Sequence, residues 1–471
     1  MERAVSLLGV FAFIGLGYAF SDNKKRVVWK LIFWATIMQF VFALLVLKTE
    51  PGKWFFDGVR LLIDRLLSYT AKGSSFVFQP LTDMEKYGFI FAFQVLPTII
   101  FFSSLMSVLY YLGVMQKVVE VIAAVMLRLL GTSGAETLCT SANIFLGQTE
   151  APLLIKPYVE KLTRSELMTV MTGGFATIAG GVLGVYAGML DDTFPDAAGH
   201  LLAASVMSAP AAILFAKLMI PETEEPVTHG RIKVENTRAE ANVIDAAAAG
   251  ASQGLMLALN VGAMLIAFIA LVHMIDGILS VIGGVFRHPE FGLDDIFNVV
   301  FVPFAWLMGV PWGVQANQCA ELLGQKLVIN EFYAYTSLTT AISDPNCQMS
   351  GRTIMITIYA LCGFTNFSSI GIQIAGIGGL APIRRSDMAR LGMAALLAGS
   401  LACFQTAAIA GVLVGEGEVV YNKPAAIQAP VHPDPKKKPE PGPSPQASAS
   451  PETSPSPQAG ASAEPIPSPS P

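Results

Sequence analysis

The sequence predicts an all-α polytopic membrane protein with an internal repeat: about eight transmembrane helices, two re-entrant hairpins and interfacial helices. Three observations carry this. Charged residues make up only 14% of the 471 and hydrophobic residues 53%, where a soluble domain carries about 25% charge; a surface so poor in charge needs lipid to cover it. Apolar runs of roughly the 20 residues that a bilayer core requires recur along the chain. Finally, each half of the chain pairs a polar, acid-bearing segment with a span interrupted by small and polar residues.

The apolar spans fall near 4–20, 28–47, 88–113, 166–190, 198–220, 256–285, 296–310, 353–379 and 388–415. The opening run MERAVSLLGVFAFIGLGYAF resembles a signal peptide, but no A-x-A site follows, so it reads as a retained span. Between spans, 53–70 (KWFFDGVRLLIDRLLSYT) sets Asp57, Arg60, Asp64 and Arg65 among aromatics and leucines, the pattern of a helix lying at the interface. Residues 116–130 (QKVVEVIAAVMLRLL) read the same way. The basic loop SDNKKRVVWK and the cluster Arg384, Arg385 and Arg390 belong on the cytoplasmic side, which puts both termini outside. The acidic stretch 221–240 reads as a connector between halves. From about 417 onward Pro, Ser, Ala and Gln dominate, so 417–471 is expected to be a disordered tail with a solvated Lys436–Lys438 run, leaving 1–416 as the membrane domain.

Composition also excludes. A net charge of −5 argues against a nucleic-acid partner. The five cysteines form no C-x-x-C pair and lie in or beside apolar sequence, as small buried hydrophobes do; the five histidines show no metal-binding spacing.

The repeat is visible in four segments. SANIFLGQTEAPLLIKPY (141–158) precedes MTGGFATIAGGVLGVYAG (171–188), and LVINEFYAY (327–335) precedes LCGFTNFSSIGIQIAGIGG (361–379). Gly174-Phe175 recurs as Gly363-Phe364, 189 positions on (363 − 174), and Glu150 as Glu331, 181 on (331 − 150). Paired, interrupted hydrophobic segments are the mark of inverted-repeat transporters. Broken helices free backbone groups that lipid cannot satisfy, so they must line a protein or water cavity.

Within these segments, residues 132–163 are too polar for one span and suit a hairpin that dips in and returns, with Gln148, Thr149 and Glu150 at its tip. Residues 311–345 suit a second hairpin bearing Asn330 and Glu331. A carboxylate at membrane depth points to function; a loop glutamate at the water surface fits the same residues. Glu331 is able to accept from vicinal hydroxyls such as a ribose presents, and Glu150 and Glu331 are expected to face one chamber. Asn366 and Ser369 share a helix face at i, i+3, suited either to a polar ligand or to interhelical hydrogen bonds, with Phe364 beside them. The glycine-rich run Gly173–Gly181 reads either as small-residue packing or as an unwound stretch whose carbonyls, with the Thr177 hydroxyl, hold a hard cation.

Together these segments resemble the concentrative nucleoside transporter family. GQTEAPLLIKPY, NEFYAY and GFTNFSSIGIQIAGIGGLAPIRR occur in the family's order and spacing, and the resemblance covers roughly residues 1–416. It implies a nucleoside symporter of the bacterial inner membrane, a homotrimer, and movement of a transport subdomain against a scaffold. It implies nucleobase contacts from Gln148, Thr149 and Glu150, with Val182 lining that pocket, and a ribose held by Glu331, Asn366 and Ser369 with Phe364 alongside. It implies sodium as the coupling ion, held by Asn143, Thr177 and the backbone of Leu146 and Ile178. Many family members carry serine where this chain has Thr177. A proton-coupled nucleoside symporter is the alternative, with an intramembrane enzyme or a channel further off.

Overall fold

A computed structural model of the chain describes residues 1–87, 90–228, 240–419 and 421–423. The expected tail beyond 423 and most of the acidic connector lie outside the described residues. Everything described belongs to one unit, Met1–Ala426, and every regular element in it is a helix.

Seven of the described helices are long and apolar enough to cross a membrane. They are α1 (Glu2–Ala19), α2 (Trp29–Lys48), the stretch Ala92–Tyr111 that contains α4 (Leu96–Tyr111), the stretch Arg164–Leu190, α9 (Ala197–Met219), α10 (Val243–Val285) and the stretch ending in α16 (Arg385–Leu413). Helix α2 shows the logic: twenty residues carry charge only in Lys30 and Lys48, one near each end, and at 1.5 Å per residue they span about 30 Å. The eighth crossing is made of two shorter apolar helices, α14 (Gly351–Leu361) and α15 (Phe367–Leu380).

Two crossings are broken. Arg164–Leu190 divides into α7 (Arg164–Ala176) and α8 (Gly180–Leu190), with Thr177 extended between them. Gly363, at φ +139°, interrupts the other. The breaks touch: a Cβ at Gly363 would lie 2.7 Å from the Phe175 carbonyl oxygen and 2.9 Å from that of Ala176. Only glycine both adopts that φ and leaves that room.

Before each broken crossing the chain goes out and back. In the first half, α6 (Gly134–Ala142) is followed by a tight turn and a 3-10 run, Ala151–Lys161, whose interior Pro157 disfavours an α-helix. In the second half the arms are α12 (Val314–Val328) and α13 (Glu331–Ile342). Each hairpin is tied shut at its base. Ser133 and Thr163 close capping boxes with Glu136 and Glu166. Ser133 Oγ then donates to Glu166 at 2.5 Å, and Lys217 pairs with Glu136 at 2.8 Å. In the second hairpin Gln315 accepts from the Ser350 amide at 3.1 Å and the Thr353 hydroxyl at 2.6 Å.

The caps set the register of the repeat. Thr163 and Ser350 cap the first half-helices and Ala179 and Asn366 the second, both 187 positions apart (350 − 163 and 366 − 179). The hairpins align at 180, through Ser133 with Gly313 and Glu150 with Asn330 (313 − 133 and 330 − 150). The Gly-Phe pairing at 189 is therefore two residues out, and Glu150 matches Asn330 rather than Glu331. Matching letters misled because the hairpins and broken helices do not share one spacing.

Around this core, α7, α8 and α9 are almost wholly enclosed, whereas only 6% of the apolar window of α10 is buried. Helix α10 packs on α4 through Gly250 and Gly254, where a Cβ would strike backbone atoms of Ser103 and Ile100. That is small-residue packing of the kind membrane helices use. The amphipathic segments are helices: α3 (Glu50–Phe78) contains 53–70, and α5 (Val114–Leu130) buries Met115, Val119, Ala123, Met126 and Leu130 on one stripe. The apolar run near 296–310 is not a crossing. It forms α11 (Leu293–Leu307), 15 residues or about 22 Å, and Gly309 and Gly313 at positive φ, with Pro311 between, turn the chain into the second hairpin.

Candidate functional site

Glu331 opens α13 just after its cap Asn330 and is buried. Its Oε1 accepts from the Tyr186 hydroxyl at 3.1 Å and its Oε2 from Asn366 Nδ2 at 3.0 Å. Tyr186, on α8, is stacked on Tyr335 with centroids 4.4 Å apart. Asn366 caps α15, its Oδ1 accepting from the Ser369 amide at 2.8 Å and the Ser368 hydroxyl at 2.6 Å. That cap fixes the amide so that its nitrogen faces the carboxylate. A carboxylate has about four acceptor sites; besides Tyr186 and Asn366, Glu331's own backbone N–H donates to it, and capacity remains for a ligand's donor.

The first hairpin reaches the same helix end. Gln148 Nε2 donates to Ser369 Oγ at 3.2 Å, and Gln148 Oε1 accepts from Gln373 at 3.0 Å. Gln373 also donates to the Met171 carbonyl at 3.1 Å, tying the tip to α7. Close approach is possible because two facing positions are glycine: a Cβ at Gly174 would lie 2.9 Å from Gln148 Cβ, and one at Gly376 2.5 Å from Thr149 Cγ2. Gln148, Ser369, Asn366 and Glu331 thus form one buried polar chain across both halves.

The two acids differ in burial. Glu331 is buried, whereas Glu150 is exposed: it curls back over Gly147 and accepts from the Thr149 hydroxyl at 3.0 Å. Val182 is buried one turn before Tyr186 on α8, and Phe364 is half-buried in the break just before Asn366.

The four residues expected at the cation lie where hairpin and break meet. Asn143 ends α6 and is fully buried, yet its Oδ1 has no hydrogen-bond partner among the described residues. Such an orphaned buried oxygen needs an explanation, and a hard cation supplies one. Thr177 is buried at the end of α7, its hydroxyl donating to the Gly173 carbonyl at 2.8 Å. Leu146 is half-buried and Ile178 buried. The Gly180 amide donates to the Phe145 carbonyl at 2.8 Å, stitching the hairpin to the break between these residues. The donor set is neutral oxygen, which suits sodium.

Sequence reasoning missed Tyr186 and Gln373. Both signals were present: each lies four residues beyond a selected position, Val182 and Ser369, on the same helix face.

Comparison with known proteins gives a consistent picture. The chain matches the families described as Na+ dependent nucleoside transporter N-terminus over residues 8–81, nucleoside recognition over 92–193, and Na+ dependent nucleoside transporter C-terminus over 200–411. It is 47% identical over 413 residues to an uncharacterized transporter of Bacillus subtilis, covering 87% of this chain and 98% of that one. It is 43% identical over 426 residues to solute carrier family 28 member 3 of Mus musculus, covering 88% of this chain and 59% of that one. The fold is similar to that of CNTnw in an inward-facing substrate-bound state, with TM-score 0.80 and 42% identity over 88% of this chain and 98% of that chain. A doubly substituted CNTnw in an outward-facing state gives TM-score 0.83 and 41% identity over 89% and 99%.

Proposed function

We propose a mechanism from one premise: the chain belongs to the Na+-dependent nucleoside transporter family. It is a multi-pass membrane protein that carries nucleosides in symport with sodium. Its relatives are transporters, and the proton-coupled alternative is not favoured.

The observation that carries the mechanism is Glu331, buried and held between Tyr186 and Asn366 with acceptor capacity to spare. Glu331, Asn366 and Ser369 take the ribose. Gln148, Thr149 and Glu150 take the nucleobase, with Val182 lining its pocket and Phe364 packing alongside. To do so, Gln148 exchanges its bonds to Ser369 and Gln373 for bonds to the base.

Asn143, Thr177 and the backbone oxygens of Leu146 and Ile178 hold sodium. Coupling follows from chain continuity. Asn143 lies five residues before Gln148 on one hairpin, and Thr177 lies in the break that the hairpin tip packs against. A cation bridging them fixes the hairpin in the pose that binds nucleoside. It acts only through its higher affinity for that pose. The loaded transport subdomain, the two hairpins with the broken helices, then moves against a scaffold that includes α4 and α10. The working unit is a homotrimer in the bacterial inner membrane, with both termini outside.

The test is radiolabelled uridine uptake by proteoliposomes under imposed gradients. An inward sodium gradient should drive accumulation and a proton gradient alone should not. Accumulation driven by protons without sodium would reject the proposed coupling.

A further inference from the structure

Lys326 is a buried cation that none of the roles assigned above names, although its charge reaches Glu331 and its side chain also meets Cys403. It lies on α12 of the second hairpin and is 2% exposed. Its ammonium donates to the Ala360 carbonyl at 2.8 Å. No carboxylate forms an ion pair with it among the described residues. Ala360 is in the last turn of α14, so the ammonium sits at the C-terminal end of a broken half-helix. Unpaired carbonyls there make a negative pole that favours cations.

The repeat gives this position its meaning. In the 187 register of the broken helices, Ala360 is the counterpart of Gly173 (360 − 173). The Gly173 carbonyl is the one that accepts from Thr177 in the sodium site described above. In the 180 register of the hairpins, Lys326 is the counterpart of Leu146 (326 − 146), also assigned to that site. Hairpin and half-helix therefore converge in the second half as they do in the first. The first half offers neutral oxygens, including the orphaned Asn143 Oδ1; the second offers a fixed positive charge.

We propose that the Lys326 ammonium is a tethered cation occupying the repeat-related counterpart of the sodium site, so that the second hairpin is held by a built-in charge and the transporter couples to a single sodium. The proposal rests on the sodium site assigned above. Lys326 is a positioning residue: it touches the end of α14 and steadies the hairpin that carries Glu331, five residues on. It does not contact nucleoside.

The experiment is sodium activation of uridine uptake by the full-length protein in proteoliposomes. Lys326→Asn gives the second hairpin the neutral oxygen that Asn143 gives the first. For that variant more sodium should be needed, and the Hill coefficient should rise from about 1 toward about 2 as a second ion replaces the lost charge. Lys326→Arg should keep a coefficient near 1. An unchanged sodium curve for Lys326→Asn overturns the proposal, as does a folded Lys326→Asn protein that sodium cannot reactivate at any concentration. Should Lys326→Asn not fold, the wild type still decides: one charge moved per uridine is expected, and two would refute it. Asn143→Ala separates the two ideas. If it leaves the sodium affinity of the wild type unchanged, the assigned sodium site fails, whatever Lys326→Asn shows.

Discussion

Asn366 and Glu331 stand 3.0 Å apart, amide nitrogen to carboxylate oxygen, and they come from different elements, the cap of α15 and the first residue of α13. One side chain thus caps a half-helix and aims a donor at a buried acid. Asn366→Ala removes both functions. The lost cap costs about 1 kcal/mol, and the lost donor to a buried charge about another 1.5–3 kcal/mol. Tyr186→Phe removes only a donor. Thermal unfolding of the purified proteins should therefore rank them wild type, Tyr186→Phe, Asn366→Ala, in falling stability. Equal stability of the two variants would contradict the dual role.

Thr177 tests the cation site without touching the nucleoside. Thr177→Ala removes one oxygen from the proposed set, and the sodium concentration for half-maximal uptake should rise roughly tenfold, about 1.4 kcal/mol. Thr177→Ser keeps the hydroxyl and should stay near the wild type. Sodium titrations of uridine uptake measure both, and a Thr177→Ala curve that overlays the wild type would remove Thr177 from the site.

The contact of the two breaks depends on Gly363. Alanine there adopts φ +139° only with strain and places its Cβ against the Phe175 and Ala176 carbonyls. Gly363→Ala should lose about 1–3 kcal/mol from strain alone and more from the collision. A melting temperature equal to that of the wild type would show that the breaks yield freely.

The base of the first hairpin is charged. Lys217 pairs with Glu136 at 2.8 Å and Glu222 at 3.2 Å while buried. Lys217→Met leaves two acids unpaired, and breaking such a buried pair by removing one partner costs about 3–5 kcal/mol. The variant should express poorly or melt well below the wild type. The double variant Lys217→Met, Glu136→Gln should recover part of the loss, and no recovery would mean that packing of the lysine stem matters more than its charge.

Much of this was legible in the sequence. Apolar length announced the crossings, and Gly, Asn and Thr inside apolar runs announced the breaks, because such residues have few other reasons to stand there. Gln148, Glu331, Asn366 and Ser369 were picked out and do converge. The rest depended on three-dimensional register. Glu150 and Glu331 look equivalent as letters, yet one lies exposed at a turn and the other is buried at the start of a helix. Tyr186 reads as one more aromatic in an apolar helix until α13 is packed against it. The run at 296–310 is as apolar as a crossing, and only the turn at Gly309–Gly313 cuts it short.

The ribose assignment of Glu331 is tested most directly by comparing uridine with 2′,3′-dideoxyuridine for binding to the wild type and to Glu331→Gln at saturating sodium. The wild type should bind uridine at least about tenfold more tightly than the dideoxy analogue, since hydrogen bonds to a buried charge are worth about 1.5–3 kcal/mol. Glu331→Gln should lose most of that preference while binding the dideoxy analogue about as well as the wild type does. If Glu331→Gln discriminates between the two nucleosides as sharply as the wild type, the hydroxyls are held elsewhere and Glu331 is not the ribose anchor.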